Sequence, residues 1–227
     1  MNPARFDMYA FIHKALRAMM ADALVAVGRL DLNDAEQSAQ TLAQVRQLLA
    51  ACASHLRHED EFVHPAIEAR MPGGSRTTAE DHLHHLVQIE TLGAALAALQ
   101  VAAPPARAAQ LHALYLQLAA FVADNFHHMQ VEERDNNALL QAAYSDAELA
   151  AIHDRLVASI PPQELTATLR WMLPNLSAPE RAALLGSLAL AMPREAFDGV
   201  LVLARQNLAA RDWLKLMMAL GPMPVAA

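Results

Sequence analysis

Apolar positions recur three and four residues apart through most of the chain, the period of a helix with one buried face. Phe6, Tyr9, His13, Leu16, Met20, Leu24 and Val27 make the first such stripe and predict a helix over residues 5–27, ended by Gly28. Asn33-Asp34-Ala35-Glu36 has the form of a capping box and opens a second helix. Its inward positions are Leu42, Val45, Leu49, Cys52, Val63 and Ala66, and it should last to residue 71, where Pro72-Gly73-Gly74 breaks it. A third helix is predicted from Thr78, capped by that hydroxyl, with His82, His85, Ile89, Leu92, Leu96 and Leu99 inward. After Pro104-Pro105 a fourth helix should cover residues 106–143, with Leu111, Leu114, Leu118, Phe121 and Asn125 inward.

Four amphipathic helices with short connections describe an all-α fold, an up-down-up-down four-helix bundle over residues 1–143. Beyond it the periodic runs shorten. Capping patterns at Ser145 to Glu148 and Ser177 to Glu180, together with Pro161-Pro162 and Pro193, predict helices over residues 146–158, 163–172, 179–191, 194–206 and 211–220. These should form a smaller C-terminal helical domain, residues 144–227. Trp171 and Trp213 with Leu173, Leu184, Leu201 and Leu203 supply a small core. The apolar runs 184–192 and 213–220 leave a face that a protein partner or a second copy, as in a homodimer, would cover.

Composition narrows the function. A formal charge of -7 without clustered Lys and Arg argues against a nucleic-acid partner. One cysteine excludes an internal disulfide and fits a reducing compartment. No stretch approaches the ~18 apolar residues of a membrane span, and the amino terminus has no basic region followed by an apolar run, so the expectation is a cytoplasmic protein with no membrane contact.

The candidate chemistry lies on the inward stripes. His55 and Glu59 stand four residues apart on one helix face, and His128 and Glu132 repeat the arrangement on another. Ten of the 11 histidines precede residue 140. No Lys or Arg lies on the facing stripes, so both glutamates would be unpaired anions in an apolar seam, at a high cost. Imidazole with carboxylate suits iron, manganese or zinc and is a poor set for copper(I). His13 precedes His55 by 42 residues, and His85 or His82 precedes His128 by 43 or 46, so the ligand order repeats internally. A structural histidine accounts for any one position. His13, His55, Glu59, His128 and Glu132 all facing inward together point to a metal. His82 and His85 both face inward, so either or both could ligate.

The remaining polar residues read more plainly. His58 is placed outward or behind the ligands, His64, His84, His112 and His127 on helix surfaces or ends, and His153 in the rear domain. Cys52 is a small buried hydrophobe. Asn125 and Tyr9 each lie one turn before an inward histidine, where they could orient it, and Met19-Met20 is packing.

The order His, HxxxE, His, HxxxE resembles the hemerythrin family, over about residues 8–140, and Glu59-Asp60-Glu61-Phe62-Val63-His64-Pro65 and Glu132-Glu133 look like the flanks of its motifs. The resemblance implies a non-heme centre of two iron ions with an oxo or hydroxo bridge, bridged by Glu59 and Glu132. His13 and His55 would serve one ion, and His128 with His82 or His85 the other. It further implies an open position for dioxygen or nitric oxide in a sensor, carrier or scavenger. The founding oxygen carriers have a longer histidine-to-aspartate spacing in the last motif, so this chain is more similar to the bacterial branch with two HxxxE motifs. That branch includes sensors and iron-centre repair proteins, which leaves a redox or repair enzyme, or a structural zinc bundle, as alternatives. Ferritin-like oxidases fit less well, because their Glu-x-x-His order differs from the one here.

Overall fold

In a computed structural model, which describes residues 5–221, α1 spans Ala10–Gly28 and so begins later than periodicity predicts. The Asp7 carboxylate accepts hydrogen bonds from the backbone N–H groups of Tyr9 and Ala10 at 2.9 Å each, holding the approach as a turn. α2, Ala35–His58, is capped by Asp34, whose side chain accepts from the Gln37 N–H at 2.9 Å. A π-helical turn, Glu59–Val63, joins it to α3, His64–Arg70. Gly73, with φ of 83°, turns the chain where a side chain would be strained. α4 covers Arg76–Val101 and starts before Thr78, whose hydroxyl donates to the Ser75 carbonyl at 3.0 Å from inside the first turn. α5, Pro104–Val131, leads through a second π-helical turn, Glu132–Asn136, into α6, Asn137–Ala143.

Packing makes the bundle a closed ring: α1 lies against α2 and α5, and α4 against the same two helices. Met20, Leu48, Leu96, Leu99, Leu114 and Leu118 fill one length of the seam, each essentially inaccessible to solvent. A second apolar cluster of Met8, Tyr9, Val63, Ile67, Leu140, Leu149 and Ile152 involves the first π turn, α3, α6 and the helix that follows α6. The inward histidines lie along the helices between these two layers.

The helix α7, Asp146–Ser159, belongs to the bundle's compact unit, which extends to Ser159, so the division falls beyond the expected boundary at residue 143. Leu149 and Ile152 are buried in the second cluster, Arg5 pairs with Asp146 at 2.7 Å, and Arg70 pairs with Glu148 at 2.6 Å. The Tyr144 hydroxyl donates to the Ala66 carbonyl at 2.7 Å. His153, read as a rear residue, therefore sits in this unit, edge-on to Phe6.

The second unit begins at Ile160. Its helices are α8, Pro162–Asn175, α9, Ala178–Ala191, α10, Arg194–Asn207, and α11, Ala210–Leu220. With α7 they start at residues 146, 162, 178, 194 and 210, one every 16 residues, a repeat that the hydrophobic stripes do not mark. α8 packs on α10 and α9 on α11. Arg181 is buried, and its guanidinium donates to the carbonyls of Leu173 and Leu176 at 2.7 and 2.8 Å, satisfying the end of α8. Among the described residues no strand is present and no helix is long and apolar enough to cross a membrane.

Candidate metal centre

Four helices deliver one imidazole each to the middle of the bundle: His13 from α1, His55 from α2, His82 from α4 and His128 from α5. Glu59 and Glu132 open the two π-helical turns, and both are buried. The four imidazoles form two pairs. Glu59 turns Oε1 to His55 Nε2 at 3.3 Å and His13 Nε2 at 3.9 Å, and Oε2 to His82 Nε2 at 3.4 Å. Glu132 turns Oε2 to His13 Nε2 at 3.4 Å, and Oε1 to His128 and His82 Nε2 at 3.2 and 3.6 Å. Each carboxylate thus divides its two oxygens between the two imidazole pairs. Two overlapping groups with metal-ligand spacing result, His13 with His55, and His82 with His128, each including both glutamates.

The donor atoms are left open. His13 Nε2, His55 Nε2, Glu59 Oε2 and both Glu132 oxygens are buried without a hydrogen-bond partner, a costly state for polar atoms. Three carboxylates explain why nitrogen lone pairs face inward. The Nδ1 atom of His13 lies 3.1 Å from Glu133, that of His82 2.7 Å from Asp60, and that of His128 3.2 Å from Asp81. A carboxylate can only accept, so Nδ1 carries a proton in either charge state, and Nε2 is the nitrogen that offers its lone pair to a metal once its own proton is released. His82 and His128 then bring their Nε2 atoms within 3.1 Å of each other, an arrangement that a shared cation relieves.

The same nitrogens favour positive charge, a proton there competing with a metal ion for the lone pair. Burial opposes charge on His13, but Glu132, Glu133 and Glu59 outweigh it and hold the imidazole well above its ordinary value. His82 shows the same contest, burial against Glu132 and Glu59, and is raised to about 10. Burial would raise Glu132, yet His128, His13 and His82 hold it well below the usual carboxylate range. The centre is a balanced set of anions and cation-ready imidazoles, suited to divalent ions.

The other inward residues do different things. His85 is buried on α4 but outside both groups; its ring stands edge-on to His128 at 4.8 Å, its Nδ1 lacks a partner, and burial lowers it to about 4. Tyr9 lies with its ring 5.2 Å from that of His13 and its hydroxyl buried without a hydrogen-bond partner. Asn125 spends its amide on the Phe121 carbonyl at 2.8 Å. Burial pushes the Cys52 thiol up to about 12, consistent with an inert hydrophobe. His58 is buried, while His84, His112 and His127 are exposed as read.

His64, read as a surface or end residue, is instead buried. The π turn adds a residue between Glu59 and α3, which rotates His64 inward, where it stacks on His82 at 4.7 Å, lies 3.0 Å from Asp60 and meets Thr78 at 3.2 Å. Asp60, Asp81, Glu133 and Arg17 were also missed. The doubled acids Glu59-Asp60 and Glu132-Glu133 were the available signal. A surface groove of about 550 Å³, lined by residues including Gly28, Leu32, His112 and Tyr115, contains none of the residues of the centre.

A family model described as the hemerythrin HHE cation binding domain matches residues 6–140. Comparison with curated proteins and with solved structures gave no match.

Proposed function

Because the chain belongs to the hemerythrin family of HHE cation-binding domains, we propose that its bundle holds two iron ions and that it takes up dioxygen or nitric oxide there, as a sensor, carrier or scavenger. The observation that carries this reading is the set of buried donor atoms without hydrogen bonds, shared between two carboxylates and two imidazole pairs. His13 and His55 would hold one ion, His82 and His128 the other, with Glu59 and Glu132 common to both. His85 lies beside this set and is not needed to complete it. Two iron ions supply redox change and open coordination, the chemistry a diatomic molecule requires.

The chain's own groups do the rest. Carboxylates orient three of the imidazoles, and the apolar layers on either side exclude water from the donors. Thr78 and Asn125 are already engaged with backbone carbonyls, and Asp60, Asp81 and Glu133 with imidazoles, so few groups are free to deliver protons, the Tyr9 hydroxyl beside His13 being one of them. That favours reversible binding over turnover.

The test is anaerobic loading with Fe(II), metal analysis, and an optical spectrum before and after addition of air or nitric oxide. About two irons per chain, with near-ultraviolet absorption that changes on gas addition, is the expected result. Failure to take up iron, or a preference for zinc with no response to gas, overturns the reading. The second unit is proposed as an interaction module, tested by the oligomeric state of the full chain.

A further inference from the structure

Each shared glutamate is followed by a second acid, and the two followers behave alike. Asp60, from the second helical segment of the bundle's first half, reaches His82 on α4 of the second half at 2.7 Å. Glu133, from the matching segment of the second half, reaches His13 on α1 of the first half at 3.1 Å. A step of one residue turns roughly a quarter of a circle about a helix axis, in a π turn as in an α-helix, so a follower points away from the centre and over the neighbouring helix. Both followers are partly exposed, at 46% and 31% of the side chain, against 3% or less for Glu59 and Glu132.

The two are not equivalent. Arg17, one turn along α1 from His13, donates to Glu133 through its two terminal guanidinium nitrogens at 2.5 and 3.1 Å. Asp60 instead meets two stacked imidazoles, His82 and His64, with no guanidinium among its partners in the described residues. A carboxylate neutralised by a guanidinium polarises an imidazole less than one that is not.

Resting on the two-ion reading above, we infer that Asp60 and Glu133 are positioning residues, each holding the proton of the neighbouring helix's imidazole on Nδ1 and so aiming its Nε2 at the centre, with Asp60 the stronger of the two. The crossing between halves ties the geometry of each ion's site to the other half of the bundle. Partners of ligating histidines are typically worth 10–100-fold in metal affinity, and the Arg17 clamp puts Glu133 at the lower end.

The experiment uses the full chain loaded with Co(II), a paramagnetic probe whose bound imidazoles show shifted, exchangeable N–H proton signals. Wild type, Asp60→Ala, Asp60→Asn and Glu133→Ala are compared by metal titration and by these signals. Asp60→Ala should weaken one of two equivalents by about 10–100-fold and speed exchange of one N–H signal. Asp60→Asn, whose amide oxygen still accepts, should lie between it and wild type and guards against simple misfolding. Glu133→Ala should weaken the other equivalent by a smaller factor and alter a different signal. Wild-type affinity with every signal intact in both alanine variants, or the same signal altered by both, overturns the pairing while leaving the centre standing. No uptake of Co(II) by wild type overturns the two-ion reading, and the pairing with it.

Discussion

In the bundle the buried face carries His13, His82, His128, Glu59 and Glu132, whereas in the second unit the corresponding positions are Leu169, Leu173, Leu185, Phe197 and Leu203, with Arg181 the buried charge. Two nitrogens of Arg181 are answered on the spot by carbonyls, and the third, Nη1, has no hydrogen bond but faces Asp212 at 3.8 Å. The glutamates Glu59 and Glu132 face only imidazoles, and three of their oxygens have no hydrogen bond. Both units are helical and share capping chemistry, so the contrast lies in what the helices enclose. An interior completed by its own side chains is built for stability, and one left open is built for a ligand.

The sharpest way to break this comparison is to exchange neighbours on α4. His82→Ala should lose one of the two metal equivalents, while His85→Ala, three residues on, should keep both; metal analysis after anaerobic iron loading distinguishes them. Equal loss in both would mean that both inward histidines hold metal. In the second unit Leu185→Ala leaves a cavity and should cost about 2–5 kcal/mol, seen as faster amide hydrogen exchange in α8 to α11 with metal content unchanged. Chelation should act on the opposite unit. Removing metal that is present at ~100 times its dissociation constant withdraws ~2.7 kcal/mol from the folded state, and exchange should quicken in α1, α2, α4 and α5 but not in α8 to α11.

The smallest effect concerns the turn before α4. The Glu68 carboxylate accepts from the N–H groups of Gly73 and Ser75 at 2.6 and 3.0 Å, and these bonds lower it to about 2. A carboxyl depressed on folding contributes in full above its unfolded value of about 4.3 and loses that contribution as pH falls towards the folded one. Thermal melts of wild type and Glu68→Gln should therefore differ slightly at neutral pH and converge towards about pH 2.

Much of this was legible in the chain itself, for identifiable reasons. The four long stripes gave the bundle because 3.6-residue periodicity holds over many turns. The spacing of four put each histidine and its glutamate on one face, and the same rule brought His13 to them. Periodicity could not choose between His82 and His85, since residues three apart share a face, and only the packing of α4 against α2 and α5 separates them. His64 was misplaced because a π turn shifts the register by one residue without a mark in the hydrophobic pattern. The boundary at residue 143 followed a change of composition at Tyr144, but Leu149 and Ile152 continue the bundle's core beyond it. Asp60 and Glu133 were read as motif flanks, because their task depends on a neighbouring helix that spacing within one helix does not reveal.

The most direct test of the central claim is iron content per chain in wild type, Glu59→Ala and Glu132→Ala, loaded without air and measured by mass spectrometry. The account predicts about two irons in wild type and a sharp fall in both variants, since each glutamate offers an oxygen to both imidazole pairs. Undiminished iron in both variants, or none in wild type, would contradict it.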